Sequence, residues 1–237
     1  MMSYSELDLR PVVELDDDTR GEFVVRVYQH LLGAVAVFLG VETLFFSTGI
    51  AEGIYNFVAG GGGGRWLLIL GLFMVGQWMV GNAAADLLNP QRQYAALVGM
   101  AVLEAVIFAP FLYLVFTVEG GGTTVAAAAL LTVVGFGGLT AVAIATRKDL
   151  SFLRPMLMFG GIAALVLILG AVLFGLELGI WFSVAMIALA GGSILYQTQT
   201  IIRSYPKQAY VAASLALFSS VMMLFWYVLR LLMQLRR

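Results

Sequence analysis

Residues 94–118 read YAALVGMAVLEAVIFAPFLYLVFTV, an apolar run interrupted by a single acidic residue, Glu104. A helix needs roughly 20 mostly apolar residues to cross the hydrocarbon core of a bilayer, and this run is long enough. It lacks the alternation of polar and apolar residues that a membrane β-strand shows. The run therefore predicts a transmembrane helix.

Six further stretches have the same character, and polar, glycine or proline residues separate them. The links are short, so consecutive spans are expected to be antiparallel neighbours, and no link can hold a soluble domain. The longest, 51–65, contains the glycine run 60–64 and has no content for a fold of its own. The spans are predicted at about Thr19–Ile50, Trp66–Leu88, Tyr94–Val118, Thr124–Thr146, 156–175, Ile180–Ile202 and Gln208–Leu235, the first starting at a capping box of Thr19 and Glu22.

The composition of the whole chain agrees with these spans. Hydrophobic residues make up 61% of the 237 residues and charged residues 11%, where a soluble domain carries roughly 25% charged residues. The predicted fold is therefore an all-α integral membrane protein with seven transmembrane helices in the lipid bilayer. The predicted organisation is an acidic cytoplasmic tail at 1–22, solvated and mobile, followed by a single transmembrane domain at 23–237.

Several classes of function are excluded by what the chain lacks. Without cysteine there is no disulfide, thiol catalysis or iron–sulfur cluster, and a single histidine, His30, cannot form a histidine cluster for a transition metal. The net charge of −1 argues against nucleic acid as a partner. The two lysines, Lys148 and Lys207, lie outside the spans, which excludes a retinal Schiff base and leaves Ser193 without a base to activate it. No enzyme activity, cofactor or metal site is therefore expected.

Basic residues predict the orientation, because they concentrate on the cytoplasmic side of membrane proteins. We expect a protein of the inner (plasma) membrane with a cytoplasmic N-terminus. The C-terminal arginines leave two alternatives open: a complete seventh span that ends outside, which we favour, or a last segment that re-enters the membrane and returns. With the N-terminus inside, nine basic residues face the cytoplasm and four face outward: Arg10, Arg20, Arg26, Arg92, Arg147, Lys148, Arg154, Arg203 and Lys207 against Arg65, Arg230, Arg236 and Arg237.

Charged residues inside spans are costly and are functional candidates by default. Glu42 and Glu104 lie at similar depth, roughly 15–18 Å from the inner ends of their helices at 1.5 Å per residue. Together they could share a proton or bind a cation; the alternative is that each is neutral and hydrogen-bonded to a neighbouring helix. Asp86, Arg203 and Arg230 lie nearer to span ends and are interpreted as interface anchors.

Small residues indicate where helices pack closely. The sixth span carries Gly191 and Gly192, with Ala188 one turn before Gly192. The first half of the seventh span, from Ala209 to Ser220, is rich in alanine and serine. Either this helix is enclosed by the others, the interpretation we favour, or it presents one ordinary packing face.

Three local patterns resemble the Bax inhibitor-1 family, in particular its bacterial branch. Residues 20–28, RGEFVVRVY, resemble the family's segment before the first span, and residues 146–153, TRKDLSFL, are very similar to its Thr-Arg-Lys-Asp-aliphatic-Ser stretch. Residues 193–202, SILYQTQTII, resemble its Leu-Tyr-Asp-Thr-Gln-x-Ile-Ile motif. The similarity covers nearly the whole chain in helix order and loop length, and the 146–153 stretch is its most specific part.

The resemblance implies six helices around a central seventh, a passive, pH-sensitive leak for a cation such as calcium, and, in bacteria, a link to membrane protein quality control. It also implies a pair of aspartates on the last two spans that holds the pore gate. This sequence departs there: the first position is Gln197, and the second is Phe218 or Ser220, depending on the alignment. None of these side chains titrates near neutral pH, so a strong acid-dependent calcium leak is not expected.

Two hypotheses for the function remain. The first is a leak or transport protein for a cation, with Glu42, Glu104, Gln197 and Ser220 as candidate polar and gate positions. The second is a non-conducting factor that binds other membrane proteins, such as a membrane protease or its substrates. Glutamates that face one cavity would favour the first, and glutamates capped by neighbouring helices would favour the second.

The orientation is testable in intact cells. A reporter fused before Glu22 should be unreachable from outside, because the N-terminus is expected in the cytoplasm. An impermeant thiol reagent should label a cysteine added after Arg237 without cell lysis. Labelling of that cysteine only in broken cells would contradict a complete seventh span.

Overall fold

The computed structural model describes residues 9–146 and 148–236. In these ranges the chain forms eight α-helices and no strand, and seven of the helices are long and apolar enough to cross a membrane. This confirms the predicted all-α membrane fold and the number of spans. The helices are α1 (Asp17–Thr48), α2 (Ile50–Ala59), α3 (Gly62–Ala84), α4 (Pro90–Thr117), α5 (Gly121–Ala145), α6 (Leu153–Phe174), α7 (Ile180–Ser204) and α8 (Tyr210–Leu235).

The two ends of the bundle are named here after the chain termini. The N-side carries residues 9–16 and the α3–α4, α5–α6 and α7–α8 links. The C-side carries α2, the α4–α5 and α6–α7 links and the end of α8. There, Arg236 donates hydrogen bonds to the backbone carbonyls of Gly120 (2.7 Å) and Glu119 (3.1 Å). Since α8 is continuous and ends beside the α4–α5 link, the last segment crosses the bundle completely and does not return.

The first span begins earlier than the predicted capping box at Thr19. The N-cap is Asp16, whose carboxylate accepts hydrogen bonds from the backbone N–H of Thr19 (2.8 Å) and from its hydroxyl (2.9 Å). The backbone hydrogen bond is the main reason why the pKa of Asp16 lies below its usual range. Aspartate is as good an N-cap as threonine, and the acidic residues that follow it suit the positive end of the helix dipole. The helix therefore starts at Asp17.

The link 51–65 contains no separate fold, but it includes most of α2 and the first turn of α3, helical structure that the sequence analysis did not predict. Gly49 adopts a φ of 80°, a left-handed conformation that glycine tolerates, and the chain turns there from α1 directly into α2. The short helix packs on the bundle through buried Ala51 and through Tyr55, whose ring lies 5.2 Å from that of Tyr113. At ten residues, α2 is too short to cross a bilayer.

Part of the acidic N-terminal segment packs against the bundle. Val12 is fully buried, and its N–H donates a hydrogen bond of 2.9 Å to the carbonyl of Tyr205 in the α7–α8 link. Pro11 pairs with Pro206 beside it. This part of the tail is therefore held against the N-side instead of being free in solvent, whereas the division of the chain at residue 22 stays a prediction.

Two spans form the centre of the bundle. α8 packs against α1, α3, α4, α5 and α7, as its small residues predicted, and α4 packs against α1, α2, α3, α5 and α8. The buried share of residues in the most apolar stretch of a span shows the same. It is 61% in α4 and 56% in the last span, but only 6% in α3 and in α6. α4 shares the central position because its aromatic side chains interlock with those of α8. Phe108 stacks on Phe225 at 5.6 Å and meets Trp226 edge-on at 4.9 Å.

The two glycines of α7 mark close approaches of neighbouring helices, as their small size predicted. A Cβ atom on Gly191 would lie 3.3 Å from a methyl group of Leu139 in α5. A Cβ atom on Gly192 would lie 3.2 Å from a methyl group of Leu157 in α6. Both distances are shorter than ordinary van der Waals contact, so larger residues would push these helices apart.

The central packing predicts unequal effects of two phenylalanine truncations. Phe108 is almost fully buried, so Phe108→Ala should lower the free energy of unfolding by about 3 kcal/mol, the order found for buried aromatic residues. Phe159 on α6 is 76% exposed on the outside of the bundle, so Phe159→Ala should change it little. Thermal unfolding of both variants in detergent measures the difference. Equal effects would contradict the central position of α4.

Candidate functional site

A cavity of about 940 Å³ lies between α3, α4, α6, α7 and α8. It reaches the surface at the C-side link between α6 and α7, where Glu177 is exposed, and it extends to Gln197 and Ser220 inside the bundle. Its walls combine apolar side chains with a few polar groups, the usual composition of a ligand-binding cavity. The polar lining includes Gln77, Glu104, Glu177, Ser193, Gln197, Ser219, Ser220, Arg230 and Gln234.

The N-side end of the cavity is closed by a hydrogen bond between two neutral side chains. Ser220 Oγ donates to Gln197 Oε1 at 2.9 Å and joins α8 to α7. Phe218, the other position that the alignment left open, is fully buried and does not line the cavity. The geometry thus pairs Gln197 with Ser220, and neither side chain ionises near neutral pH.

Glu104 faces the cavity from α4. The residue is only 5% exposed and lines the cavity. Among the described residues, no group donates a hydrogen bond to its carboxyl group. The carboxyl group lines the cavity, so whatever enters the cavity meets an acidic side chain at this depth. Glu104 is therefore the side chain of the cavity with the greatest capacity to bind a cation.

Glu42 does not share this position. The residue is 6% exposed, and both of its carboxyl oxygens are buried without a hydrogen-bond partner in the described part of the chain. It does not line the cavity. The structure places one of the two predicted glutamates in the cavity, and a site shared by Glu42 and Glu104 stays a prediction.

The C-side mouth of the cavity is held by a network around one backbone carbonyl. The carbonyl oxygen of Leu178 accepts hydrogen bonds from the guanidinium group of Arg230 (2.9 Å) and from Nε2 of Gln234 (3.1 Å). Ser183 Oγ donates to Gln234 Oε1 at 2.8 Å, and the Arg230 guanidinium lies 5.6 Å from the ring centre of Phe182. Arg230, predicted as an interface anchor, thus ties α8 to the α6–α7 link at the end of its span.

The two other predicted anchors lie on the N-side. Asp86 forms an ion pair of 2.9 Å with Arg92 across the α3–α4 link. Arg203, at the end of α7, lies 3.7 Å from a carboxylate oxygen of Asp149 in the α5–α6 link. Partly exposed ion pairs of this kind add little stability. Both lie at span ends, away from the residues that line the cavity.

Gln199 is a structural residue that the sequence analysis missed. Its Oε1 accepts a hydrogen bond from the N–H of Leu150 (2.7 Å), and its Nε2 donates to the carbonyl of Lys148 (2.8 Å). One buried amide therefore holds the α5–α6 link against α7. The sequence did contain a signal for this contact. Gln199 lies in the 193–202 motif and the α5–α6 link lies in the 146–153 stretch, and both stretches resemble the family.

His30 lies on the N-side among aromatic residues and not in the cavity. Its Nε2 is 3.2 Å from the hydroxyl of Tyr94, which in turn is 3.2 Å from the hydroxyl of Tyr210. The Arg26 guanidinium lies 5.8 Å from the ring centre of Tyr210. The arrangement connects α1, α4 and α8 at the N-side of the bundle.

The aromatic residues of the cavity were also missed by the sequence analysis. Trp66 of α3 stacks on Trp226 of α8 with 6.3 Å between ring centres, and Phe111 of α4 lies 4.7 Å from the same ring. All three line the cavity. Aromatic residues are spread over every span of the sequence, so only the packing of the helices shows which of them converge.

The amino-acid sequence is similar to those of known proteins. Residues 20–237 match the sequence model of the family described as Inhibitor of apoptosis-promoting Bax1. An uncharacterized protein of Pseudomonas aeruginosa is 32% identical over 125 residues, which are 52% of this chain and 55% of that protein. The aligned part thus spans about half the length of this relative. Because the family match extends over nearly the whole chain and all seven spans, the protein belongs to the Bax inhibitor-1 family.

Proposed function

We propose that the protein is a cation leak of the cell membrane, with a cytoplasmic N-terminus and a route that begins in the cavity on the C-side. The observation that carries this proposal is Glu104, a buried carboxyl group that lines the cavity and has no hydrogen-bond partner among the described residues. A fixed carboxylate in a low-dielectric cavity attracts a cation more strongly than the same group in water. The opening of the cavity at the α6–α7 link gives ions access to it.

In this proposal the gate is the contact between α7 and α8. The hydrogen bond from Ser220 to Gln197 ends the cavity, and Ile201 and Leu217 are buried in the apolar core toward the N-side. A constriction lined by apolar side chains excludes water and ions. Conduction therefore requires α7 and α8 to move apart. The hydrogen bond resists this by about 1 kcal/mol, the typical net value for a neutral pair.

A second candidate function is a non-conducting factor that binds a membrane protease or its substrates. The neutral character of the Gln197–Ser220 pair favours it, because a gate without a charged group gives a leak no response to pH. Glu42 favours neither candidate, because it does not line the cavity and no described residue donates a hydrogen bond to its carboxyl group. Flux measurements separate the two candidates, because this second function predicts no calcium flux from the purified protein.

The role of Glu104 is tested with two matched substitutions. Glu104→Gln should lower the rate of calcium efflux from proteoliposomes by about tenfold, because the charge that concentrates cations in the cavity is lost. A tenfold change corresponds to a free-energy difference of roughly 1.4 kcal/mol. Glu42→Gln is the control: it makes the same change at an equally buried glutamate outside the cavity, and should leave efflux near the unmodified rate. Equal effects of both, or no efflux from the unmodified protein, would contradict the proposal.

The gate is tested by restoring charge to it. The gate of the unmodified protein has no group that titrates between about pH 6 and about pH 8, so any change in its calcium efflux over that range should come from Glu104 and be lost in Glu104→Gln. The double variant Gln197→Asp with Ser220→Asp places two carboxyl groups in contact, and such a pair shares a proton and changes charge with pH. Its efflux should therefore differ strongly between the two pH values. A strong acid-dependent leak that Glu42→Gln and Glu104→Gln leave unchanged would place the gate elsewhere.

A further inference from the structure

We propose that the cavity is a binding site for a hydrophobic organic cation, with the Glu104 carboxylate facing the positive charge and the aromatic walls receiving the apolar groups. The inference rests on the proposed function in using the same cavity and the same carboxylate. It requires binding only, however, and not passage across the membrane. An experiment can therefore disprove the binding site without disproving the cation leak, and the reverse.

The aromatic walls supply the first part of the recognition. Trp66 and Trp226 lie stacked in the cavity wall, and Phe108 and Phe111 pack against Trp226 at 4.9 Å and 4.7 Å. Faces of tryptophan and phenylalanine attract cations, more so when water is excluded. They also bury the apolar substituents of an organic cation. A cavity lined by these four aromatic rings and one buried carboxyl group therefore suits a cation that carries hydrocarbon groups better than it suits a bare inorganic ion.

The charges of the cavity support a monovalent cation at depth. Arg230 and Glu177 both lie at the mouth; Arg230 is held by the Leu178 carbonyl, and Glu177 is exposed to solvent. The opposite charges of Arg230 and Glu177 offset each other at the mouth. Inside the cavity, Glu104 is the acidic side chain. A tightly bound calcium ion takes six or more oxygen ligands, whereas Glu104 is the only carboxyl group of the described residues that lines the cavity away from its mouth. A hydrated ion can still pass, but a firmly bound ligand here must gain its affinity from the apolar walls.

The size of the cavity fits the same class of ligand. Its volume of about 940 Å³ lies in the range of roughly 300–1,000 Å³ found for sites that bind drug-sized molecules. A single dehydrated metal ion would leave most of this space unfilled. A cation with several aromatic or alkyl groups fills it and contacts the walls from α3, α4 and α8 at once.

The test uses two probes of the same shape and opposite charge. Tetraphenylphosphonium and tetraphenylborate are titrated into the purified full-length protein in detergent, and binding is measured by calorimetry and by quenching of tryptophan fluorescence. The cation should bind with a saturable isotherm at one site per chain. The anion should bind at least about tenfold more weakly, since charge-assisted contacts in a low-dielectric site are strong. Equal binding of both probes, or stronger binding of the anion at Arg230, would overturn the proposal.

Matched variants locate the site. Glu104→Gln should weaken tetraphenylphosphonium binding at least about tenfold, and Glu42→Gln should not. Trp66→Leu removes an aromatic wall and should also weaken binding. Trp78→Leu, on the same helix but 70% exposed outside the cavity, should have no effect and controls for the loss of one tryptophan. Thermal unfolding shows whether each variant is folded, and the two tryptophan variants test the site even if Glu104→Gln does not fold.

Binding and flux distinguish this inference from the proposed function. Saturable binding that depends on Glu104 and Trp66, without calcium efflux, would retain the binding site and remove the leak. Calcium efflux that depends on Glu104, without binding of tetraphenylphosphonium, would retain the leak and overturn the binding site.

Discussion

The contact between α4 and α8 is the interaction on which the rest of the structure depends. In a bilayer the lipid is as apolar as the helices, so helices associate through close packing and hydrogen bonds and not through the hydrophobic effect. The ring of Phe108 meets those of Phe225 and Trp226 and brings α4 to the centre beside α8. In the N-side half of α8, small residues such as Ala213 and Ser214 are fully buried. That half is closed tightly by its neighbours, while three consecutive aromatic residues, Phe225, Trp226 and Tyr227, lie in the C-side half.

This difference in side-chain size explains where the cavity lies. Small residues let backbones approach, and large planar side chains hold helices further apart. Trp226 contributes both to the central packing and to the cavity, because it packs on Phe108 in the core and also lines the cavity. The packing that fixes α8 at the centre therefore also shapes the space between α8, α3 and α6. A cavity open on the C-side and closed toward the N-side follows from the same distribution of residues along one helix.

The polar groups around the cavity differ in how they are satisfied. Ser220 and Gln197 bond to each other, and Arg230 and Gln234 share the Leu178 carbonyl. Glu104 lacks such a partner among the described residues. Ser219 Oγ, which also lines the cavity, is likewise without a partner there. An unsatisfied polar group is costly in an apolar environment, and Glu104 is the one of the two that can carry a charge, so it is the cavity residue that points most directly to a ligand or an ion. At Gln197 and Ser220 the last two spans are joined by a hydrogen bond between neutral side chains.

The sequence by itself determined the number of spans, the all-α fold, the family and the residues to inspect in the membrane. These depend on local properties: the length of an apolar run, the position of polar links and short motifs. It also predicted close packing at Gly191 and Gly192, because the need for a small residue at a helix contact is visible in the residue type. It failed at Thr19 and in the link 51–65, where several residues can cap or continue a helix and the choice depends on local competition.

Only the tertiary structure decided which polar residues meet. Glu42 and Glu104 look alike in sequence, yet one lines the cavity and the other does not. Phe218 and Ser220 were equally acceptable partners for Gln197 until the rotation of α8 turned Ser220 toward it and buried Phe218. The physical reason is that a membrane helix is apolar on nearly all sides, so its sequence carries little information about which face turns inward. That choice is made by the shapes of the neighbouring helices.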